Sequence, residues 1–399
     1  MIFEKKLGLF YFSAFLKSQM FLLPVLYLFY LANGLTMADY FLFQGIIVLV
    51  NVLLQVPAGF IGDKIARKHI LLISYTLFLG RIFCWFFWKG PWIVFVGEIL
   101  YALSKALFDT VESPILYDML DKNKKDKMVT AYSQLNFVLS LGTAVAALSG
   151  AWLYEKVGLE ILLGTEFVFI TAAIFMATRL PYLPPEKKEK QAGTKVSEAV
   201  KNSIAILKDP ENAPYILYSG LVVSFSHFFF WSFQPMMKLA AVPVGLFGVV
   251  MFTNNTMRSV GSLLTHRLLT YIRLDLLGKL IFACNAVCLF IGWVFQKAII
   301  GYWGLCLFFI FLLCICITLQ LMFTIAQISR LQQVAEPEIR TQIAATNMMI
   351  ARFCVAVLLI IPKYLTELFP LMTLYLIYGI LFIGAGWFLS RRLPKSSIQ

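Results

Sequence analysis

Five stretches of this chain, 40–62, 128–154, 212–237, 298–329 and 368–390, contain no Asp, Glu, Lys or Arg. Each is at least as long as the roughly 20 apolar residues that carry a helix across a bilayer. Inside lipid, backbone N–H and C=O groups must be satisfied within the chain, so such stretches fold as helices. Composition agrees, with 60% hydrophobic and 14% charged residues and 37 Phe, where a soluble domain carries about a quarter charged. A soluble enzyme, a disordered chain and a nucleic-acid-binding domain are excluded.

The full reading gives twelve spans: 8–33, 40–62, 69–88, 92–117, 129–154, 160–180, 213–236, 242–265, 272–296, 300–328, 342–365 and 369–390. Residues 1–30 carry no small-residue cleavage site, so the first span is expected to stay as a membrane helix. Most connections are short. The exception is a Lys-rich polar segment at the midpoint, 182–211, within which 196–207 has the pattern of a short amphipathic helix. The expected fold is an all-α polytopic membrane protein, with one six-helix bundle over 1–181, a cytoplasmic linker over 182–211 and a second bundle over 212–399.

Net charge is +13. With the N-terminus inside, only Lys89, Lys156, Lys238, Lys297 and Lys363 fall on the far side, while most of the 34 Lys and Arg lie on the N-terminal side. By the positive-inside rule both termini are cytoplasmic. The seven Cys all lie in apolar stretches, which suits packing rather than a disulfide scaffold. Three His in total leave no metal-ligand spacing, and no phosphate-binding loop or catalytic constellation is present. No cofactor, metal or enzymatic activity is expected.

The connection between spans 2 and 3 reads Gly59-Phe-Ile-Gly-Asp63-Lys64-Ile-Ala66-Arg67-Lys68-His-Ile-Leu71. It resembles the signature loop of the major facilitator superfamily, G-x-L-A-D-R-x-G-R-R/K-x-x-L, matching at Gly59, Asp63, Arg67, Lys68 and Leu71, with Lys64 keeping a charge. Gly59 allows close helix approach, and a carboxylate such as Asp63 suits a helix end. Gly261 in the connection between spans 8 and 9 echoes Gly59, and Thr341 and Asn347 echo Thr130 and Asn136. These echoes fit two parallel repeats. The resemblance implies two pseudo-symmetric bundles that rock about a midplane site. In that scheme Gly59, Asp63, Lys64, Arg67 and Lys68 form a conformational latch.

Ionisable groups inside a span are expensive and mark function or helix pairing. On span 4, Glu98, Lys105, Asp109 and Glu112 fall within about 60° of one helical face. That stripe cannot face lipid. Lys105 and Asp109 are spaced to pair. Gly97-Glu98 and Leu116-Tyr117-Asp118 are similar to a bacterial subgroup of the superfamily with acids in the fourth helix. This implies a bacterial inner-membrane location. Glu98, Asp109 and Glu112 are the proton-coupling candidates, since such a site needs burial balanced against a nearby cation. Substrate-cavity candidates are Lys17, Tyr27, Tyr30, Lys105, His227, Trp231, Asn254, Arg258, Gln320 and Arg352. Arg81 is read as a helix-locking cation, and Glu166 is expected at the outer interface.

The resemblance implies a secondary transporter of a small organic solute, coupled to protons, embedded in lipid, monomeric and without a nucleic-acid partner. Export of drugs, metabolites or siderophores is the first expectation. Uptake of a polar or anionic solute is the alternative suggested by Lys17, Lys105, Arg258 and Arg352, and flipping of a lipid or lysophospholipid is a third reading.

Overall fold

A computed structural model describes residues 2–120, 128–182, 213–334 and 340–392. The linker and the amphipathic helix expected at 196–207 lie outside the described residues, as do the side chains of Gly59, Asp63 and Lys64 in the signature loop.

The described residues are nearly all helical: α1 (Ile2–Lys17), α2 (Leu26–Ala32), α3 (Met37–Lys64), α4 (Arg67–Phe87), α5 (Pro91–Met119), α6 (Met128–Thr178), α7 (Ala213–Leu239), α8 (Gly245–Tyr271), α9 (Leu274–Val294), α10 (Gln296–Gly301), α11 (Trp303–Val334), α12 (Arg340–Ile360), α13 (Pro362–Leu368) and α14 (Leu371–Arg392). Among the described residues nine helices are long and apolar enough to cross a membrane, and two shorter apolar helices cover Leu7–Lys17 and Leu23–Ala32.

The differences from the twelve expected spans have local causes. Span 1 is broken between α1 and α2, with a single 3₁₀ turn at Leu23–Val25 containing Pro24, which has no N–H to donate and a fixed φ. Spans 5 and 6 appear as one helix, α6, interrupted at Gly158, whose φ of +84° only glycine adopts without strain. Span 8 corresponds to α8, which is not among the nine; Thr253, Asn254, Asn255, Thr256 and Arg258 lower its hydropathy.

The chain divides into two compact units. The first comprises residues 1–36, 49–191 and 243–252, and the second 37–48, 192–242 and 253–399. The core of the first unit gathers Phe10, Tyr75, Phe78, Ile82, Phe108, Ile115, Leu135 and Ile170. In the second, Tyr218, Val222, Leu277, Ile281 and Phe323 pack together. Beside them Phe225, Phe228, Tyr375 and Tyr378 meet edge to face or tilted.

Small residues set the closest approaches. A Cβ on Gly150 would collide with the Phe21 backbone, and one on Gly142 with Ser18 Oγ. The break in span 1 therefore lies directly on the first half of α6. In the second unit, a Cβ on Gly45 would come 2.6 Å from Ile360, so the start of α3 seats against α12. Lys363 Nζ also donates to Asp39 Oδ1 there at 2.8 Å.

Candidate functional site

In the first unit, α4 and α5 form an antiparallel hairpin turning through Gly90, whose φ is +113°. The turn sets Arg81 opposite Glu98. Arg81 Nη2 lies 3.6 Å from Glu98 Oε1, and both side chains are 3% exposed. Tyr30 on α2 donates its hydroxyl to the same Glu98 oxygen at 2.6 Å. The guanidinium is enclosed by three rings, with its carbon 4.1 Å from the Trp85 centroid, 4.6 Å from Tyr101 and 5.4 Å from Phe78. Such stacking lowers the cost of taking a cation out of water. Gly97 makes the packing possible, since a Cβ there would collide with the Trp85 indole. Trp85 Nε1 in turn donates to the Ile93 carbonyl at 3.2 Å.

One helical turn and more along α5, Lys105 Nζ donates to both Asp109 oxygens at 3.1 Å. Glu112 accepts a hydrogen bond from the Tyr132 hydroxyl of α6 at 3.0 Å. Lys17, the last residue of α1, places its ammonium 4.3 Å from the Phe108 ring and 5.9 Å from Phe78. Lys105, Asp109, Glu112 and Arg81 all lie within its electrostatic reach. The span-4 stripe thus meets α1, α2, α4 and α6 of its own unit. Its three carboxylates each have a cation or hydroxyl partner.

Tyr27 and Tyr30 are core residues, 6% and 0% exposed. The Tyr30 hydroxyl is engaged by Glu98.

Glu166 is not at the interface. It is 2% exposed, and its Oε2 accepts a hydrogen bond from the Leu22 backbone N–H at 3.1 Å. The reason is the break before Pro24. Leu22 leaves the regular helix, and a buried N–H without a carbonyl partner needs another acceptor. Hydropathy gives no sign of this, because the partner is 144 residues away in sequence.

Arg67 and Lys68 of the signature loop anchor helix ends within the first unit. Arg67 forms an ion pair with Asp118 near the end of α5, and its Nη1 donates to the Pro114 carbonyl at 3.4 Å. Lys68 Nζ donates to the Thr178 and Leu180 carbonyls at 2.7 Å, where α6 ends and a cation complements the helix dipole.

In the second unit, His227 on α7 is half-buried, and its Nδ1 lies 3.0 Å from the Val223 carbonyl. A carbonyl only accepts, so Nδ1 carries a proton, and in the neutral ring Nε2 keeps its lone pair. Arg258 and Arg352 are both within electrostatic reach of this ring. Asn254, four residues before Arg258 on α8, is fully buried with no hydrogen bond to either amide atom. Trp231, one turn beyond His227, meets Tyr40 edge to face at 5.9 Å. Gln320 belongs to a different network. Its Nε2 donates to Asn285 Oδ1 at 2.6 Å, and Asn285 Nδ2 donates to the Ile281 carbonyl at 2.8 Å. Gly261 places α8 on α11 at Thr318 and Met322. Arg258 and Arg352 lie within electrostatic reach of His227, and Gln320 is tied to α9 instead.

A family model described as Major Facilitator Superfamily matches residues 7–357. Comparison with curated proteins returns no match. Among solved structures, the nucleoside transporter NupG superposes with a TM-score of 0.75 at 13% identity, over 99% of this chain and 100% of that one. The POT family transporter PepTSo gives 0.73 at 13% identity, over 97% of each chain. A POT family transporter in complex with 5-aminolevulinic acid gives 0.76 at 10% identity, over 98% of this chain and 97% of that one. At these identities the likeness is one of fold.

Proposed function

Because this chain belongs to the major facilitator superfamily, and is therefore an integral membrane transporter, we propose that it takes up a small polar organic solute by proton-coupled alternating access. Two six-helix halves, 1–181 and 212–399, joined by the linker 182–211, are the moving parts in this reading. The Lys and Arg asymmetry supports both termini in the cytoplasm, and a bacterial inner membrane and a monomeric chain belong to the same reading.

The observation that carries the coupling is the α5 stripe. Glu98, Asp109 and Glu112 are three carboxylates on one membrane helix, each held by a partner that favours its charged form and so competes with a proton: Arg81 and Tyr30, Lys105, and Tyr132. Protonation of a carboxylate weakens its hold on a cation and frees that cation for a solute or for another helix. A bistable set of pairs of this kind is what a transporter requires.

Export was the first expectation, resting on family frequency and an aromatic-rich cavity. Tyr27 and Tyr30 are instead core residues, and the polar groups of the second unit favour a charged or polar solute. A solute that enters with protons follows the inward proton gradient.

The test is accumulation of labelled solute pools (amino acids, nucleosides, organic acids, phosphorylated metabolites) in proteoliposomes that are alkaline inside. Accumulation above equilibrium only under the gradient is the expected result. Equilibration that ignores the gradient refutes coupling, and gradient-driven loss of preloaded solute refutes the direction.

A further inference from the structure

We propose that the second unit binds an oxyanion group of the transported solute, a carboxylate or a phosphate, through Arg258 with Asn254 beside it. The assignment rests on the transporter reading and adds the chemical class of the cargo.

Arg258 and Asn254 are four residues apart on α8 and so share one helix face. Arg258 Nε is buried and donates to nothing in the protein. Among the described residues no carboxylate pairs with Arg258. Asn254 is 0% exposed, and neither its Oδ1 nor its Nδ2 is hydrogen-bonded. A buried cation without a counter-charge and a buried amide without partners are both costly, and a protein retains them where a ligand supplies what is missing.

Arg352 on α12 adds a second positive charge within electrostatic reach of His227. The first unit is different. There Arg81 faces Glu98 and Lys105 is bonded to Asp109. Both of these cations have internal counter-ions, so an incoming anion gains less from them.

A guanidinium presents its donors in a planar fork that matches the two oxygens of a carboxylate or phosphate. Asn254 adds one donor for the same group and one acceptor, Oδ1, for a hydroxyl or ammonium next to it. In the neutral ring His227 Nε2 is a second acceptor on α7. The cargo that satisfies all of these is a small oxyanion with a hydrogen-bond donor close to the anionic group. Trp231 stands one turn beyond His227, so an aromatic acid is a suitable probe.

The experiment uses the full-length protein in lipid nanodiscs and three probes, benzoate, phenyl phosphate and benzamide, titrated into the millimolar range. Binding is read by calorimetry and by the shift in thermal unfolding. At least one anion is expected to bind saturably while benzamide does not, and the anion that binds separates a carboxylate from a phosphate site. Arg258→Gln is expected to weaken that binding about tenfold or more, the scale of one charge-assisted hydrogen bond. Arg258→Lys, which keeps the charge and loses the fork, falls between. Asn254→Ala gives a second reading should Arg258→Gln fail to fold. The assignment is overturned if no anion binds, if benzamide binds as well as benzoate, or if binding survives unchanged in the Arg258 and Asn254 variants. Because binding is measured without a gradient, its loss leaves transport of an uncharged solute standing. Binding without any transport in proteoliposomes removes the transporter reading alone.

Discussion

Arg81 and Glu98 face each other across the α4–α5 hairpin with Nη2 3.6 Å from Oε1, and neither side chain is more than 3% exposed. They lie at nearly equal distances from the turn at Gly90, as do Ser74 and Ser104, whose side chain and backbone bond at 2.7 Å one level further in. The hairpin therefore neutralises its own deepest acid. It leaves Glu98 poised between a cation on one helix and a tyrosine hydroxyl on another.

That pairing has a measurable stability signature. Removing one partner of a buried ion pair leaves an uncompensated charge, at a cost of about 3–5 kcal/mol. Arg81→Gln is expected at the lower end, about 3 kcal/mol, because the two charged groups are not in direct hydrogen-bond contact. The double variant Arg81→Gln with Glu98→Gln is expected to recover part of the loss. Thermal unfolding in detergent measures both, and equal destabilisation by the single and double variants would show that the two residues do not act as a pair.

Gly97 supports the same site sterically. A methyl group in its place would strike the Trp85 indole, which covers one face of Arg81 at 4.1 Å. Gly97→Ala is expected to destabilise the protein by about 1–3 kcal/mol through overpacking. Combining it with Trp85→Phe, which shortens the ring system, should restore part of the stability. Tryptophan fluorescence of the single variant should report a changed Trp85 environment.

Glu166 separates a hydrogen-bonding role from a charge role. Glu166→Ala strands the Leu22 N–H in the core and is expected to cost about 1–3 kcal/mol. Glu166→Gln keeps an acceptor oxygen and should lose less. Hydrogen exchange at Leu22 is the direct readout, with faster exchange in the alanine variant.

Much of the fold was legible because lipid imposes one rule. Charge-free runs such as 298–329 must be helical, and α11 is. The superfamily resemblance in the signature loop was likewise carried by local spacing. What escaped was the arrangement made by contacts distant in sequence. Hydropathy reads Glu166 as interfacial because it sees only neighbours in the chain, and the demand for that carboxylate comes from Pro24 on another helix. Arg81 and Glu98 were each visible as charges within spans, and their partnership was readable too, had positions been counted outward from the turn at Gly90. The paired Lys105 and Asp109 followed from i, i+4 spacing alone. The isolation of Asn254 had no such signal, since an unbonded amide looks the same in sequence as a bonded one.

The most direct test of proton coupling through α5 is solute-driven proton movement in proteoliposomes carrying a trapped pH indicator, compared among wild type, Glu98→Gln and Glu112→Gln. Wild type is expected to acidify the lumen when solute is added outside, and at least one of the two variants should carry solute without moving protons. If both variants keep the wild-type proton movement and its dependence on pH, the α5 carboxylates do not carry the proton.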